Sequence, residues 1–519
     1  MFCPSCGNQI PDGAKICDYC GNLIPSDLSG QTASAQVVSA PVAAKKFSFV
    51  ALLKNKFFIG GVALAIVAAV VIVLINVVGP ASGGYSANIN DLYTVYTEDN
   101  DTAVIYNGNV LKTRIDGSIN NTYANNDYST VYLKNDSDEI YKLSGGNLTK
   151  VLEEVVYICG ISDFGDTLYY IEDDTICSYN GKKTEIAEID ENNRFSSFVI
   201  SPNGDSCAWT EIDKENDRKG YAYNGGKVTE LGKLSTIISI TDGGDLIYCT
   251  NSTGKLCYIQ NLDSDNMESV RSCSWFFKLS ADNRQILFYD SGKTYVYFPS
   301  LEEEIKVSTG SVSPLVPFNS YFSSNNFDNF IGVSGSSTYR FTRNGDEYDS
   351  FKIANSDITA LSSDGKNIIY RDGSKAYKKS IVSEDADKIT VAKYLNGIGG
   401  IDFDPNFNNI YSTDRDYALV YSNGTGDDIK VVFDSEEVSD LTVSENGVCT
   451  FIYDYSGGEG TLAYSANGGE KQKCSGLSSA AYVSRSNSGK YIYAVTSDNE
   501  LYISTDGKTF TNTKITLYN

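Results

Sequence analysis

Two patterns of apolar and polar positions divide this chain. Residues 57–78 form a run of twenty-two residues without a charge, in which Asn76 is the only strongly polar side chain. Beyond residue 120, short stretches rich in apolar and aromatic residues recur between turns of Asp, Asn, Ser and Gly. The first pattern predicts a membrane-spanning helix, and the second predicts β-strands joined by tight turns.

The apolar run is long enough to cross a bilayer. As an α-helix it covers roughly 33 Å, against about 30 Å for the hydrocarbon core. Fifty-six residues precede it, which argues against a cleavable signal peptide, although the small residues at 81–83 leave cleavage open. A buried core helix is disfavoured because the run is apolar on all sides.

The charges on either side of the run predict its orientation. Lys45, Lys46, Lys54 and Lys56 precede it, whereas the first basic residue after it is Lys112. Because positive flanks stay in the cytoplasm, we expect a cytoplasmic N-terminus, contact with membrane lipid through residues 57–78, and an extracytoplasmic C-terminal region.

The N-terminus carries a metal-binding cysteine pattern. Its spacing is C-x2-C-x10-C-x2-C, and the four candidate ligands are Cys3, Cys6, Cys17 and Cys20. Two C-x2-C-Gly turns direct four thiolates to one point, and a reducing cytoplasm keeps them free for Zn²⁺. Four closed ligands leave no open position, so we expect structural zinc that supplies the folding energy of this small head.

Residues 2–21 resemble the short zinc ribbon found at the N-termini of many bacterial membrane proteins, with CPSCG, IPDGAKIC and CDYCG as the matching segments. The resemblance implies an interaction or regulatory head, with an unidentified cytoplasmic protein as its partner. We therefore divide this side into a zinc ribbon at 1–24 and a flexible linker and juxtamembrane segment at 25–56.

A short pattern recurs beyond the apolar run. It consists of a Ser or Thr, two further residues, a Gly or Asn, and then a stretch rich in apolar and aromatic residues. Clear copies begin at Ser162, Ser201, Thr241, Ser280, Ser362, Ser444 and Ser486, and weaker copies at Thr122, Ser323 and Asp402. Successive starts lie 39 to 43 residues apart, and a period near forty is typical of propeller blades.

One period holds four strand-like stretches, so the fold class predicted for residues 83–519 is all-β, with propeller repeats of about forty residues per four-stranded blade. Ten or eleven repeats exceed the usual 4 to 8 blades of one ring. The spacing leaves open one large ring or two in tandem, and the irregular unit between Ser311 and Ile353 is the best place for a boundary.

The repeats resemble bacterial propellers of the TolB-like (PD40) kind, whose blades carry an S-P-D-G-K-like turn. Residues 201–204, Ser-Pro-Asn-Gly, are the nearest copy. Residues 465–469 and 504–510 resemble degenerate Asp-box turns of sialidase-type propellers, and the second departs from that pattern by one residue.

The amino-acid composition excludes several classes of function. The chain has no histidine, which excludes Ser-His and Cys-His nucleophiles. Residues 79–519 hold 37 basic and 63 acidic residues, and a net charge of −26 repels nucleic acid. Carboxylates are too abundant to nominate a catalytic pair, so we name no catalytic or cofactor-binding residue. We expect a propeller that binds a protein or glycan without catalysis, with an extracytoplasmic carbohydrate-active enzyme as the alternative.

Two further features stay open at this stage. Cys249 and Cys257 flank a turn as if across a hairpin, which permits a disulfide in an extracytoplasmic domain. Acidic stretches at 98–101, 136–138 and 263–265 have ligand types that suit calcium, but none completes a calcium loop. We favour the interpretation that these residues occupy tight turns.

Overall fold

The structure is a computed structural model. It describes residues 90–518, except 156, 264–266, 273–274, 315–326, 357, 396–399 and 427. The predicted zinc ligands and the predicted membrane span therefore lie outside the described residues. Within them, no helix has the length and apolar character needed to cross a bilayer.

The described residues form eleven antiparallel sheets, each built from strands that are consecutive in the chain. Sheets 1 to 4 contain β1 (Leu92–Tyr96), β2 (Asp101–Tyr106), β3 (Asn109–Val110), β4 (Ile115–Asp116); β5 (Ile119–Ala124), β6 (Thr130–Asn135), β7 (Ile140–Ser144), β8 (Asn147–Leu152); β9 (Tyr157–Ile161), β10 (Leu168–Glu172), β11 (Thr175–Tyr179), β12 (Lys183–Glu188); and β13 (Arg194–Ile200), β14 (Ser206–Ile212), β15 (Arg218–Asn224), β16 (Lys227–Lys233).

Sheets 5 to 8 contain β17 (Thr236–Ile240), β18 (Leu246–Thr250), β19 (Lys255–Gln260), β20 (Met267–Ser272); β21 (Trp275–Leu279), β22 (Ile286–Asp290), β23 (Lys293–Phe298), β24 (Glu303–Thr309); β25 (Ser313–Pro314), β26 (Asn329–Ser334), β27 (Ser337–Asn344), β28 (Glu347–Ala354); and β29 (Ile358–Leu361), β30 (Asn367–Asp372), β31 (Lys375–Ser380), β32 (Lys388–Ala392). A single 3-10 turn, Asp242–Gly244, lies between β17 and β18.

Sheets 9 to 11 contain β33 (Ile401–Phe403), β34 (Ile410–Thr413), β35 (Leu419–Ser422), β36 (Lys430–Phe433); β37 (Val438–Val443), β38 (Val448–Ser456), β39 (Glu459–Ala466), β40 (Gln472–Lys473), β41 (Ser479–Ala480); and β42 (Tyr482–Arg485), β43 (Ile492–Val495), β44 (Glu500–Ser504), β45 (Thr511–Thr516). The short strand β41 is a second partner of β39, so sheet 10 has five strands.

Successive sheets pack face to face around a ring. A cluster of buried apolar side chains joins each sheet to the next, from the pair of sheets 1 and 2 to the pair of sheets 10 and 11. First strands of neighbouring sheets contact one another, as β33 contacts β37 and β37 contacts β42. The fold is therefore an eleven-bladed β-propeller, and first strands line its centre.

Sheet 7 lies where the sequence suggested a boundary between two rings, and the structure places none there. Phe330 and Phe341 belong to the cluster shared with sheet 6, and Ile331 and Ile353 belong to the cluster shared with sheet 8. Apolar packing therefore continues through this unit on both of its faces.

The recurring Ser or Thr has a structural role in the turn between first and second strands. The Ser201 hydroxyl accepts the backbone N–H of Ser206 at 3.1 Å, and the Ser201 carbonyl accepts the N–H of Gly204 at 2.9 Å. Ser362 and Ser444 make the same pair of contacts with the residues that follow them. The fourth position takes Gly because the turn needs a positive φ, which is 77° at Gly204.

Two weaker repeat starts were placed wrongly. The turns begin at Asn125 and Asp404, not at Thr122 and Asp402, and the Asn125 side-chain carbonyl accepts the Thr130 N–H at 3.0 Å. Asp404 accepts the Asn406 N–H at 2.8 Å through its carboxylate. A carboxamide or carboxylate replaces the hydroxyl as acceptor, which the Ser/Thr pattern did not allow for. The predicted start at Ser323 lies outside the described residues.

Sheet 1 differs from the other sheets in its strand positions. Its turn after β1 joins Thr97 N–H to the Asp101 carbonyl at 2.9 Å, and the same bond joins Asn135 and Glu139 between the second and third strands of sheet 2. Strand β1 is thus a second strand, and β3 and β4 together take the fourth position. The described part of sheet 1 contains no counterpart of a first strand.

The ring closes where sheet 11 meets sheet 1. Asp91, 2% exposed, accepts the Ser488 N–H at 2.9 Å and also the Ser488 hydroxyl. The Tyr93 ring stacks on Tyr493, with 4.4 Å between ring centroids. Tyr518 N–H donates to the Tyr96 carbonyl at 3.0 Å. Closure therefore rests on side-chain packing and a few hydrogen bonds.

Removing the Asp91 carboxylate should weaken this closure. In a fragment of residues 82–519, which is one compact unit, Asp91→Ala leaves the buried Ser488 N–H without its acceptor. We expect a loss of about 2 kcal/mol of unfolding free energy, measured by urea titration, and faster hydrogen exchange in β1 and β43. Asp99→Ala, in an exposed turn, is the matched control, and equal losses in the two variants would contradict this account.

Candidate functional site

Three charged side chains come together on first strands at the centre of the propeller. They are Asp402 on β33, Asp440 on β37 and Arg485 on β42, from sheets 9, 10 and 11. First strands are otherwise mostly apolar or small in this region, so a charged group on each of three neighbours is a distinct feature. We call Asp402, Asp440 and Arg485 the central charge cluster.

Arg485 spans from sheet 11 to sheet 9. Its Nε lies 3.1 Å from Asp402 Oδ2, and its Nη2 lies 3.1 Å from Asp402 Oδ1, which is a bidentate pair. Asp402 Oδ2 also accepts the N–H of Val443 on the intervening sheet at 2.8 Å. The pair is largely buried, with 20% and 15% of the two side chains exposed. It fixes three first strands relative to one another.

Asp440 is held by backbone groups. Its Oδ2 accepts the Val483 N–H of sheet 11 at 3.0 Å, and its Oδ1 accepts the Leu441 N–H at 2.9 Å. No ion pair to Asp440 occurs in the part of the chain that the structure describes. Burial raises the pKa of Asp440 to about 6, and the nearby negative charge of Asp402 acts in the same direction.

Two tyrosines lie on the strands that flank Asp440. Tyr455 lies near the end of β38, is 45% exposed, and donates its hydroxyl to the Gly458 carbonyl at 2.8 Å. Tyr482 begins β42, and its hydroxyl lies 3.2 Å from that of Tyr93. Burial raises the pKa of both phenols, and the charge of Asp440 acts in the same direction on each.

The two carboxylates of the cluster differ in how their negative charge is balanced. Asp402 is neutralised by a guanidinium, whereas Asp440 has only backbone donors and titrates close to neutral pH. Carboxyl groups with such different surroundings suit either the recognition of a cation or acid and base roles in one site. The exposed aromatic residue Tyr455 on the neighbouring strand also suits sugar binding.

Sequence reasoning assigned a functional role to none of these residues, because acidic side chains are abundant along the chain. The repeat itself contains a signal that could have identified Asp402 and Arg485. Asp402 and Arg485 lie two and one residues before the turn positions Asp404 and Ser486, which is inside a first strand. Charged residues inside such strands need partners across sheets.

The other candidate positions have structural roles where they are described. Asn100 and Asp138 occupy left-handed positions of tight turns, each with a φ of 62°, as the turn interpretation predicted. Cys249 and Cys257 face each other across β18 and β19, but both are free thiols. Both are buried in the cluster between sheets 4 and 5, where they pack as small apolar side chains.

The predicted metal site can be judged only from its donor set. Four cysteines in two C-x2-C pairs match the closed tetrahedral shell of structural zinc. Among the described residues there is no group of three or more acidic or cysteine side chains arranged for a metal. The zinc prediction concerns the N-terminal head, which lies outside the described residues.

Comparison with known proteins supports the N-terminal head. Residues 2–24 match the family model of the zinc-ribbon domain. A search of curated proteins gave no match. The match places a zinc-ribbon domain at the N-terminus.

Several solved structures are similar to this chain at a low level. Tricorn protease is 13% identical over 80% of this chain and 49% of its own length, with a TM-score of 0.26, so this chain spans about half of that protein. An extracellular domain assigned to the one component system BT4673 from B. thetaiotaomicron is 10% identical over 82% of this chain and 61% of its own, with a TM-score of 0.26. Oligogalacturonate lyase in complex with manganese is 12% identical over 64% of this chain and 94% of its own length, with a TM-score of 0.30. None of these values carries an argument about activity.

The raised pKa of Asp440 predicts a pH-dependent stability. The folded state binds this proton more tightly than the unfolded chain, so the stability conferred by protonation is full only below the unfolded pKa of about 3.9 and is lost as the pH rises from there through about 6. Asp440→Asn lacks this titrating group and therefore does not show this loss. As the pH rises from 5 to 8, we expect the free energy of unfolding of the variant to increase by on the order of 1 kcal/mol relative to that of the unchanged protein. Urea titrations of residues 82–519 at several pH values measure it. A difference that is constant with pH would contradict the assignment.

The zinc head is tested by removing one ligand. In the full chain, Cys17→Ser should lower the zinc content well below one ion per chain and make residues 2–21 sensitive to protease, because metal binding supplies the folding energy there. Elemental analysis and limited proteolysis are the measurements, with Cys474→Ser as the control thiol substitution. Retention of one tightly held zinc ion by Cys17→Ser would refute a four-thiolate site.

Proposed function

We propose that this chain is a single-pass membrane protein in which a cytoplasmic structural zinc ribbon is joined to an extracytoplasmic propeller that binds a protein or glycan. The observation that carries the binding role is the central charge cluster, which places partly exposed charged groups where the first strands of sheets 9, 10 and 11 meet. Tyr455, on the second strand of sheet 10, adds an exposed aromatic residue on a neighbouring strand. A ligand there would contact several blades at once.

The topology rests on the apolar run at 57–78 and the lysines that precede it. Residues 82–519 form a compact unit with their own apolar clusters, so the propeller does not need the head for its folding. The zinc ribbon then serves as the cytoplasmic contact for a protein partner, and the span links the two sides. We infer no catalytic role for the zinc, since four thiolates leave it no open position.

A second candidate function is a carbohydrate-active enzyme built on the same cluster. Glycosidases use two carboxyl groups, one of which protonates the leaving oxygen and therefore needs a raised pKa. Asp440, with a pKa raised to about 6 mainly by burial, has the property required of the acid. Asp402 would then be the charged partner, although its bidentate contact with Arg485 favours a structural role for that carboxylate.

A glycan panel separates the two candidates. Residues 82–519 are incubated with cell-wall and storage oligosaccharides, and both binding and product release are recorded. We expect saturable binding to at least one oligosaccharide or protein ligand and no turnover. Release of products that falls at least about 100-fold in both Asp402→Asn and Asp440→Asn would establish the enzyme instead. Asp346→Asn, in an exposed turn of sheet 7, controls for the loss of one negative charge.

A further inference from the structure

Exposed tyrosines are confined to one end of the described propeller. Because the strands of each sheet are consecutive and antiparallel, the turns between second and third strands lie at the same end as the connections from sheet to sheet. We call this end the connection face. Nine large apolar or aromatic side chains are exposed among the described residues, and the five tyrosines of this set all lie on the connection face: Tyr157, Tyr394, Tyr417, Tyr455 and Tyr518. The other four lie at the opposite end or on an outer strand.

Four of these tyrosines lie on adjoining sheets. Tyr394 is in the connection that leads to sheet 9, Tyr417 is in the turn between β34 and β35, and Tyr455 lies near the end of β38 in sheet 10. Tyr518 follows the last strand of sheet 11. We call Tyr394, Tyr417, Tyr455 and Tyr518 the tyrosine arc, and each is 45% to 58% exposed.

Direct contacts join the first half of the arc. The guanidinium carbon of Arg415 lies 5.3 Å from the centre of the Tyr394 ring, in the same turn that carries Tyr417. The Tyr417 carbonyl accepts the backbone N–H of Val438, the first residue of sheet 10, at 3.1 Å. The connection before sheet 9, the turn of sheet 9 and the edge of sheet 10 are therefore held together.

The second half of the arc is joined in the same way. The Ser497 hydroxyl of sheet 11 donates to the Glu459 carboxylate of sheet 10 at 3.0 Å. The Tyr518 ring lies against Tyr96 of sheet 1, with 5.2 Å between the ring centroids. The arc is thus one connected surface from sheet 9 to sheet 1, whereas Tyr157 lies apart from it on sheet 3.

The loops of the arc carry a strong negative charge. Eight exposed carboxylates and only two exposed cations, Lys393 and Arg415, lie in the described loops at 97–100, 393–395, 414–417, 434–437, 454–459 and 496–499. Residues 79–519 as a whole have a net charge of −26, so a second copy of the propeller is repelled and a basic partner is attracted.

We propose that the tyrosine arc is a docking surface for an arginine-rich segment of a basic protein. A guanidinium stacks flat on a tyrosine ring and pairs with neighbouring carboxylates, and Arg415 on Tyr394 shows this geometry within the surface itself. Tyrosine and arginine are also enriched where proteins meet. The inference goes beyond the proposed function, because the arc lies on the turns and not on the central charge cluster. Either can fail while the other stands.

The experiment compares two peptides that differ only in charge. The full chain in nanodiscs of phosphatidylcholine, a lipid without net charge, is titrated calorimetrically at neutral pH with a peptide of five Arg-Ser repeats and with one of five citrulline-Ser repeats. Citrulline has nearly the shape of arginine without its charge. We expect the arginine peptide to bind saturably and at least about 10-fold more tightly, because the rings and the carboxylates both attract the charged form.

Variants separate the tyrosines from the overall charge. Tyr417→Ala together with Tyr455→Ala should weaken binding of the arginine peptide about 10-fold, and the matching pair of Phe substitutions, which keeps both rings, should stay within about twofold of the unchanged protein. Tyr157→Ala, on the same face but outside the arc, should have no effect. Asp454→Asn should weaken binding more than Asp346→Asn, which lies at the opposite end of the propeller. Thermal melting verifies that each variant is folded.

Several outcomes would overturn the inference. Equal affinity for the two peptides would remove the role of the charge. Unchanged affinity in the double alanine variant, or an equal loss in Tyr157→Ala, would show that the peptide senses only the net charge of the propeller. A loss in the Phe pair as large as that in the Ala pair would exclude stacking on the rings. Absence of any binding by the arginine peptide refutes the docking surface and leaves the central charge cluster unaffected.

Discussion

The packing of sheet 11 against sheet 1 is the contact on which the whole ring depends. Every other sheet buries both of its faces against neighbours that follow or precede it in the chain. The two terminal sheets can do so only by meeting each other. Asp91 and Tyr93 of sheet 1 make this contact with Ser488 and Tyr493 of sheet 11. Sheet 1 begins at the second-strand position, and no described strand from the far end of the chain completes it. Most of the ring is thus built from contacts local in sequence, and this single contact joins residues about four hundred positions apart.

The repeat could be predicted from the sequence because its physical cause is local. A hydroxyl at Ser201 or Ser362 bonds the backbone five residues later, so the pattern survives as a fixed spacing of residue types. The same cause explains the errors. Asn125 and Asp404 satisfy the backbone with other acceptors, and these acceptors are common elsewhere in the chain. The number of blades and the closure of one ring depend on which faces meet, which the spacing of turns does not encode.

The zinc site and the central charge cluster likewise differ in how far the sequence predicts them. The cysteine pairs of the zinc ribbon lie within eighteen residues, so their convergence follows from turn geometry. Asp402 and Arg485 are 83 residues apart and meet because first strands of sheets 9 to 11 converge at the centre. Predicting that pair requires the register of three strands in three different sheets. A sequence pattern can identify the strands, but the inter-sheet contact appears only once the blades are packed.

The central charge cluster and the closing contact are linked through the first two residues of β42. Asp440 holds the Val483 N–H at the start of β42, and the preceding Tyr482 reaches the hydroxyl of Tyr93 in sheet 1. Burial raises the pKa of Tyr93 and Tyr482, so both phenols stay neutral at ordinary pH, and one donates its hydroxyl proton to the other. The hydrogen bond from the Val483 N–H to Asp440 and the contact of Tyr482 with Tyr93 thus connect the centre of the propeller to its point of closure through two adjacent residues of one strand.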